Sequence, residues 1–104
     1  MYSTAPLKIT AEIDLPLRPP SRRFRLSREI SLPPAITFDA ALPLEGSARG
    51  AVTFTLPGGQ AISARALLHY DPEHPERGSA AEFIGLAPEE VEAIQTYIEQ
   101  RMQP

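Results

Sequence analysis

Apolar and polar residues alternate with a period of two through most of the chain from Leu7 to Leu86. In the segment 7–15, Leu7, Ile9, Ala11, Ile13 and Leu15 are apolar, with Lys8, Thr10, Glu12 and Asp14 between them. That is the pattern of a strand with one face in a core and the other in water. The Pro-rich stretch 16–20 ends it, because proline donates no ladder hydrogen bond and restricts the residue before it. A second alternation over 22–32 puts Phe24, Leu26, Ile30 and Leu32 in phase. Arg28 falls on the same apolar phase, where a charge needs either a partner or a bulge that turns it outward.

After Pro33-Pro34 the pattern resumes with Ile36, Phe38, Ala40 and Leu42. The stretch 45–50, Glu-Gly-Ser-Ala-Arg-Gly, reads as a loop, and Val52, Phe54 and Leu56 mark a fourth strand. Pro57-Gly58-Gly59-Gln60 is a short hairpin turn, followed by a strand carrying Ile62, Ala64, Ala66 and Leu68. Two prolines and several charges make 71–79 an exposed loop. A sixth, short strand at 80–86 has Phe83 as its core candidate.

The period then changes. Val91, Ile94, Ile98 and Met102 recur at helical spacing with Tyr97 at the flank, predicting a helix over about 88–102. Pro88 suits its first position, and Glu89 and Glu90 complement the dipole there. Six strands over about 7–86 and one terminal helix predict a mainly β domain: a small six-stranded antiparallel barrel with a C-terminal helix. An open sheet packed on one helix would show the same alternation. At 104 residues the whole chain, 1–104, fits a single domain.

With 42% hydrophobic and 22% charged residues the composition is globular, and neither a long apolar run nor a leader pattern is present. The expectation is a cytoplasmic protein with no membrane insertion. The absence of cysteine excludes disulfides, thiolate nucleophiles and zinc–thiolate sites. The net charge of −3 conceals a basic cluster: Arg18, Arg22, Arg23, Arg25 and Arg28 are five of the ten Lys and Arg residues. On an otherwise acidic chain such a cluster selects a small anion or an acidic protein surface rather than a nucleic acid polymer. The same arginines would equally guard a strand edge against pairing.

Few residues invite catalysis. His69 and His74 are the two histidines, and neither has the tight spacing with Asp71 or Glu73 that a metal site requires. No serine sits in a nucleophile-elbow pattern. Gly58-Gly59 lies between two strands, so it is a turn and not a phosphate-cradling loop before a helix. The helix glutamates read as a solvated face. The expectation is a non-enzymatic domain without a cofactor.

The order of these segments resembles the PilZ family. The resemblance runs over residues 7–103 and rests on Gly46 in a Leu-x-x-Gly-like position, the hairpin at Pro57-Gly58-Gly59, Tyr70 and Phe83. Its last part is the closing helix with Val91, Ile94, Tyr97 and Ile98. The resemblance implies a small barrel and a role in bacterial signalling or motility, and it implies cyclic di-GMP as the ligand of standard members. Those members carry Arg-x-x-x-Arg before the first strand and [Asp/Asn]-x-Ser-x-x-Gly between the second and third. Guanidinium groups hold phosphates and guanines there, and the glycine lets the backbone approach.

Aligned by strand order, the second motif falls on residues 29–34. Ser31 is kept, Glu29 replaces the shorter acid or amide, and Pro34 replaces glycine. Residues 1–6 contain no arginine. Arg18 and Arg22 spell Arg-x-x-x-Arg, but between the first two strands, and Glu45–Gly50 repeats the serine motif too late in the strand order. The resemblance therefore implies a degenerate member, with Glu29, Ser31 and Pro34 as the remnant of a nucleotide motif. It would act by binding a protein, through Arg18, Arg22, Arg23, Arg25 and Arg28. The alternative is a cyclic di-GMP receptor that uses those displaced arginines.

Overall fold

The alternating segments form eight strands, β1 (Ser3–Pro6), β2 (Ile9–Asp14), β3 (Ser21–Leu26), β4 (Glu29–Leu32), β5 (Ala35–Phe38), β6 (Gly46–Thr55), β7 (Ala61–Tyr70) and β8 (Ser79–Phe83). One helix, α1 (Pro88–Met102), follows. The computed structural model describes residues 3–15, 21–32 and 34–102. All strand pairings are antiparallel, in the order β1-β4-β5-β8-β7-β6-β2-β3, and the sheet curls into a half-barrel.

Eight strands form, not the six expected from the alternation, because β1 lies ahead of the first alternating segment at 7–15 and the second segment bends once into β3 and β4. β1 pairs with β4 from Ser3↔Leu32 to Pro6↔Glu29, and β2 pairs with β3 from Ile9↔Leu26 to Asp14↔Ser21. Both sets belong to one continuous hairpin register, bridged at the bend by Leu7 N–H donating to Arg28 O at 3.2 Å. Beyond the bend the partners diverge: β4 continues to β5, whereas β2 continues to β6. A bend leaves the period of two intact, so alternation alone reads β3 and β4 as one.

The inward phase of each strand supplies the core. Ile13, Ile30, Ile36, Phe38, Val52, Ile62 and Leu68 are all fully buried and are joined from the helix by Ile94 and Ile98. Burying each such side chain contributes about 1.5–3 kcal/mol. The expected loop 45–50 is instead the first part of β6, which runs opposite β7 from Gly46↔Tyr70 to Thr55↔Ala61. Gly50 makes that path possible: a Cβ there would lie 2.2 Å from Asp14 O and 2.7 Å from Leu68 Cδ1. Phe83 is only partly buried, stacked at 6.1 Å on Phe54, and Ala81 takes the fully buried place in β8.

The helix starts at Pro88, as its sequence predicts, with Glu90 as the anchor. One carboxylate oxygen accepts the Ala87 N–H at 2.9 Å, satisfying an orphan donor at the helix start, and the other accepts Ser63 N–H from β7 at 2.8 Å. Tyr97 is buried and not flanking; its hydroxyl donates to Pro6 O at 2.6 Å, fastening α1 to β1. The Arg101 guanidinium covers the Tyr97 ring at 5.1 Å, a cation–π contact. Among the described residues no helix is long and apolar enough to cross a membrane.

Candidate functional site

Glu29, Ser31 and Pro34 lie on β4 and the turn from β4 to β5. Glu29 opposes Thr37, Ile30 opposes Ile36 and Ser31 opposes Ala35, so Pro34 lies at the turn. Ser31 is half-buried and its hydroxyl donates to Ala35 O at 3.4 Å across the turn, while Glu29 is exposed. Pro34 uses its carbonyl, which accepts the Phe83 N–H at 3.0 Å and ties the turn to β8. Ser31 and Pro34 thus help to close a hairpin and fasten it to the sheet.

Of the five clustered arginines, Arg18 lies outside the described residues and Arg22 is placed by its backbone in β3, opposite Ile13. Arg23 and Arg25 stand exposed on β3, opposite Glu12 and Thr10. β3 ends the strand order, and Arg23 and Arg25 form no ion pair among the described residues. Arg28 has a different fate. Its Nε donates to Asp39 Oδ1, and its two terminal nitrogens donate to Arg77 O at 2.8 Å and Glu76 O at 2.9 Å. The charge on the apolar phase has therefore found its partner within the fold.

The outward face of β6, β7 and β8 holds groups that the linear sequence leaves apart. Ser47 opposes His69, and Ser47 Oγ lies 2.7 Å from His69 Nδ1. On the other side of the ring, Nε2 lies 3.6 Å from Glu82 Oε2, an ion-pair separation beyond hydrogen-bond reach. Strands β5 to β8 and the β7–β8 loop line an open cavity of about 420 Å³ whose walls include Ser47, His69, Tyr70, Asp71 and Arg77. A serine, an imidazole and a carboxylate in a row share the composition of a hydrolytic triad. Here the serine is exposed mid-sheet and the carboxylate stands off, so the row offers hydrogen bonds to a ligand more readily than an activated nucleophile. A hairpin register counted outward from a four-residue turn at 57–60 would set Ser47 opposite Tyr70; the bond from Leu56 N–H to Gln60 O shortens the turn by one residue and brings His69 opposite instead.

In the neighbouring loop, Asp71 accepts from His74 at 2.8 Å and from the Glu73 N–H at 2.9 Å. The His74 ring, then the Glu73 amide, hold the Asp71 carboxyl below the ordinary aspartate range. Among the described residues no group of His, Asp or Glu side chains is arranged to hold a metal ion. Compared with known proteins, the chain matches no family model, no curated protein and no solved structure.

Proposed function

We propose that this chain is a degenerate PilZ-like domain of a bacterial signalling or motility system, a non-enzymatic adaptor that binds a protein with an acidic surface. The observation that carries the reading is the placement of Arg23 and Arg25. They stand exposed on the strand that ends the sheet order and form no ion pair among the described residues, with Glu12 opposite Arg23 in register. A terminal strand offers backbone groups for pairing, and two cations on it select against basic partners and speed encounter with acidic ones. The strand order and the closing helix support the family resemblance, and the proline-capped turn at 29–34 supports loss of the usual cyclic di-GMP chemistry.

Calorimetric titration with cyclic di-GMP at low and high salt tests this. The expected outcome is no saturable heat at either salt concentration. Salt-sensitive binding in the micromolar range that weakens in Arg23→Ala or Arg25→Ala would replace the adaptor with a receptor that uses displaced arginines.

A further inference from the structure

A second pair of arginines lies on the outward face of the central hairpin. Arg49 opposes Leu67, and Arg65 opposes Ala51, so the two are diagonal neighbours on adjacent strands. Both are exposed, and both line one small pocket with Gly50, Ala66 and Ile84. Neither makes a hydrogen bond or ion pair through its side chain with any described residue. The outward acids nearest in register are Glu82, opposite Leu67 and 3.6 Å from His69, and Asp14, opposite Ala51, and neither forms an ion pair with Arg49 or Arg65. Two like charges at this spacing repel each other, in a chain whose net charge is −3, and an anion between them would relieve the repulsion.

The rest of the pocket specifies what kind of anion. Its volume of about 130 Å³ is small. It has room for roughly four waters, or one carboxylate with its methylene stem. Ile84 forms one wall, and at 55% exposure it is the sole large hydrophobic side chain exposed among the described residues. Leu67, half-buried, lies opposite Arg49. A guanidinium pair beside exposed aliphatic surface matches a segment that carries an acidic and an apolar residue two positions apart, on one face of an extended chain. The carboxylate takes the paired, charge-assisted hydrogen bonds that arginine geometry favours, while the apolar side chain covers Ile84.

We infer that Arg49, Arg65 and Ile84 form a docking site for an extended acidic–apolar peptide segment of a partner protein. This site rests on the adaptor reading for its biological sense, but β2 separates it from β3 in the sheet order, and it is tested on its own. The probe is a blocked peptide in which glutamate and leucine alternate along one face of the extended chain with serine at the positions between, titrated into the isotope-labelled full chain and followed by amide NMR. Saturable shifts are expected at residues 49, 50, 65, 66 and 84. Affinity is expected to fall at least tenfold in Arg49→Gln and in Arg65→Gln, and several-fold in Ile84→Ser. The glutamine–leucine analogue of the peptide is expected not to bind.

Three results would overturn the inference. One is the absence of saturable shifts. Another is inorganic phosphate reproducing all the shifts at equal strength, which would mark an anion spot with no peptide selectivity. The third is loss of binding in Arg23→Ala/Arg25→Ala with Arg49→Gln unaffected, which would move the peptide to β3. Because these substitutions are on exposed positions of separate strands, failure here leaves the β3 surface standing, and failure there leaves this site standing.

Discussion

Arg28 and Gly78 depend on one another. The three groups that receive the Arg28 guanidinium come from Asp39, Glu76 and Arg77, and the last two are backbone carbonyls of the turn that Gly78 ends. Gly78 has φ +68°, and a Cβ there would meet Phe38 O at 2.3 Å and Arg28 Cζ at 3.3 Å. Glycine is thus required both by backbone conformation and by the close approach of β5. Gly78→Ala is expected to lower stability by at least about 1–3 kcal/mol, read as a shift in urea midpoint. Gly58→Ala, where a Cβ meets nothing within 4 Å, is the control and should stay within about 0.5 kcal/mol of the parent. At this scale the sequence was half legible. That Arg28 needed a partner follows from its phase, but which partner does not, because Asp39 and the carbonyls at 76 and 77 are brought there by tertiary structure alone.

Elements with strong local chemistry were readable in advance. The helix begins at its N1 proline, and the turn at 57–60 closes through Leu56 N–H to Gln60 O at 2.9 Å with Gly59 at φ +98°. Strand ends were less readable, because the bend at 27–28 keeps the alternating phase and Gly50 disguises strand as loop. The loop between β7 and β8 has its own local order, a single 3-10 turn over Pro75–Arg77 preceded by a turn in which Asp71 accepts from His74 and from the Glu73 N–H. Since the Asp71 carboxyl titrates below its unfolded value, its contribution is present above the ordinary aspartate range and is lost as pH falls through the lowered value. Carboxyl NMR should show Asp71 titrating at lower pH than an unstructured aspartate. In Asp71→Asn the acid-induced rise in amide exchange at Glu73 and His74 should disappear.

Over the whole molecule, the sheet has one long ladder and several short ones. β6 and β7 each run ten residues in register, whereas β2 meets β6 only at Glu12↔Thr53, Ile13↔Val52 and Asp14↔Ala51. Native-state hydrogen exchange should therefore show the slowest amides in the β6–β7 ladder and faster opening where β2 joins β6. Equal protection at both places would contradict this hierarchy. The candidate sites became visible only at this scale, since register sets Ser47 opposite His69 and Arg49 diagonal to Arg65, and no local motif marks them. The bent hairpin of β1 to β4 has a consequence for synthesis. It is made first, but the strands that cover its two flanks, β5 and β6, emerge later, and β6 must itself wait for β7. Until then the nascent hairpin offers open edges to any neighbouring chain, and its arginines and prolines act as gatekeepers during that interval, whatever they bind afterwards.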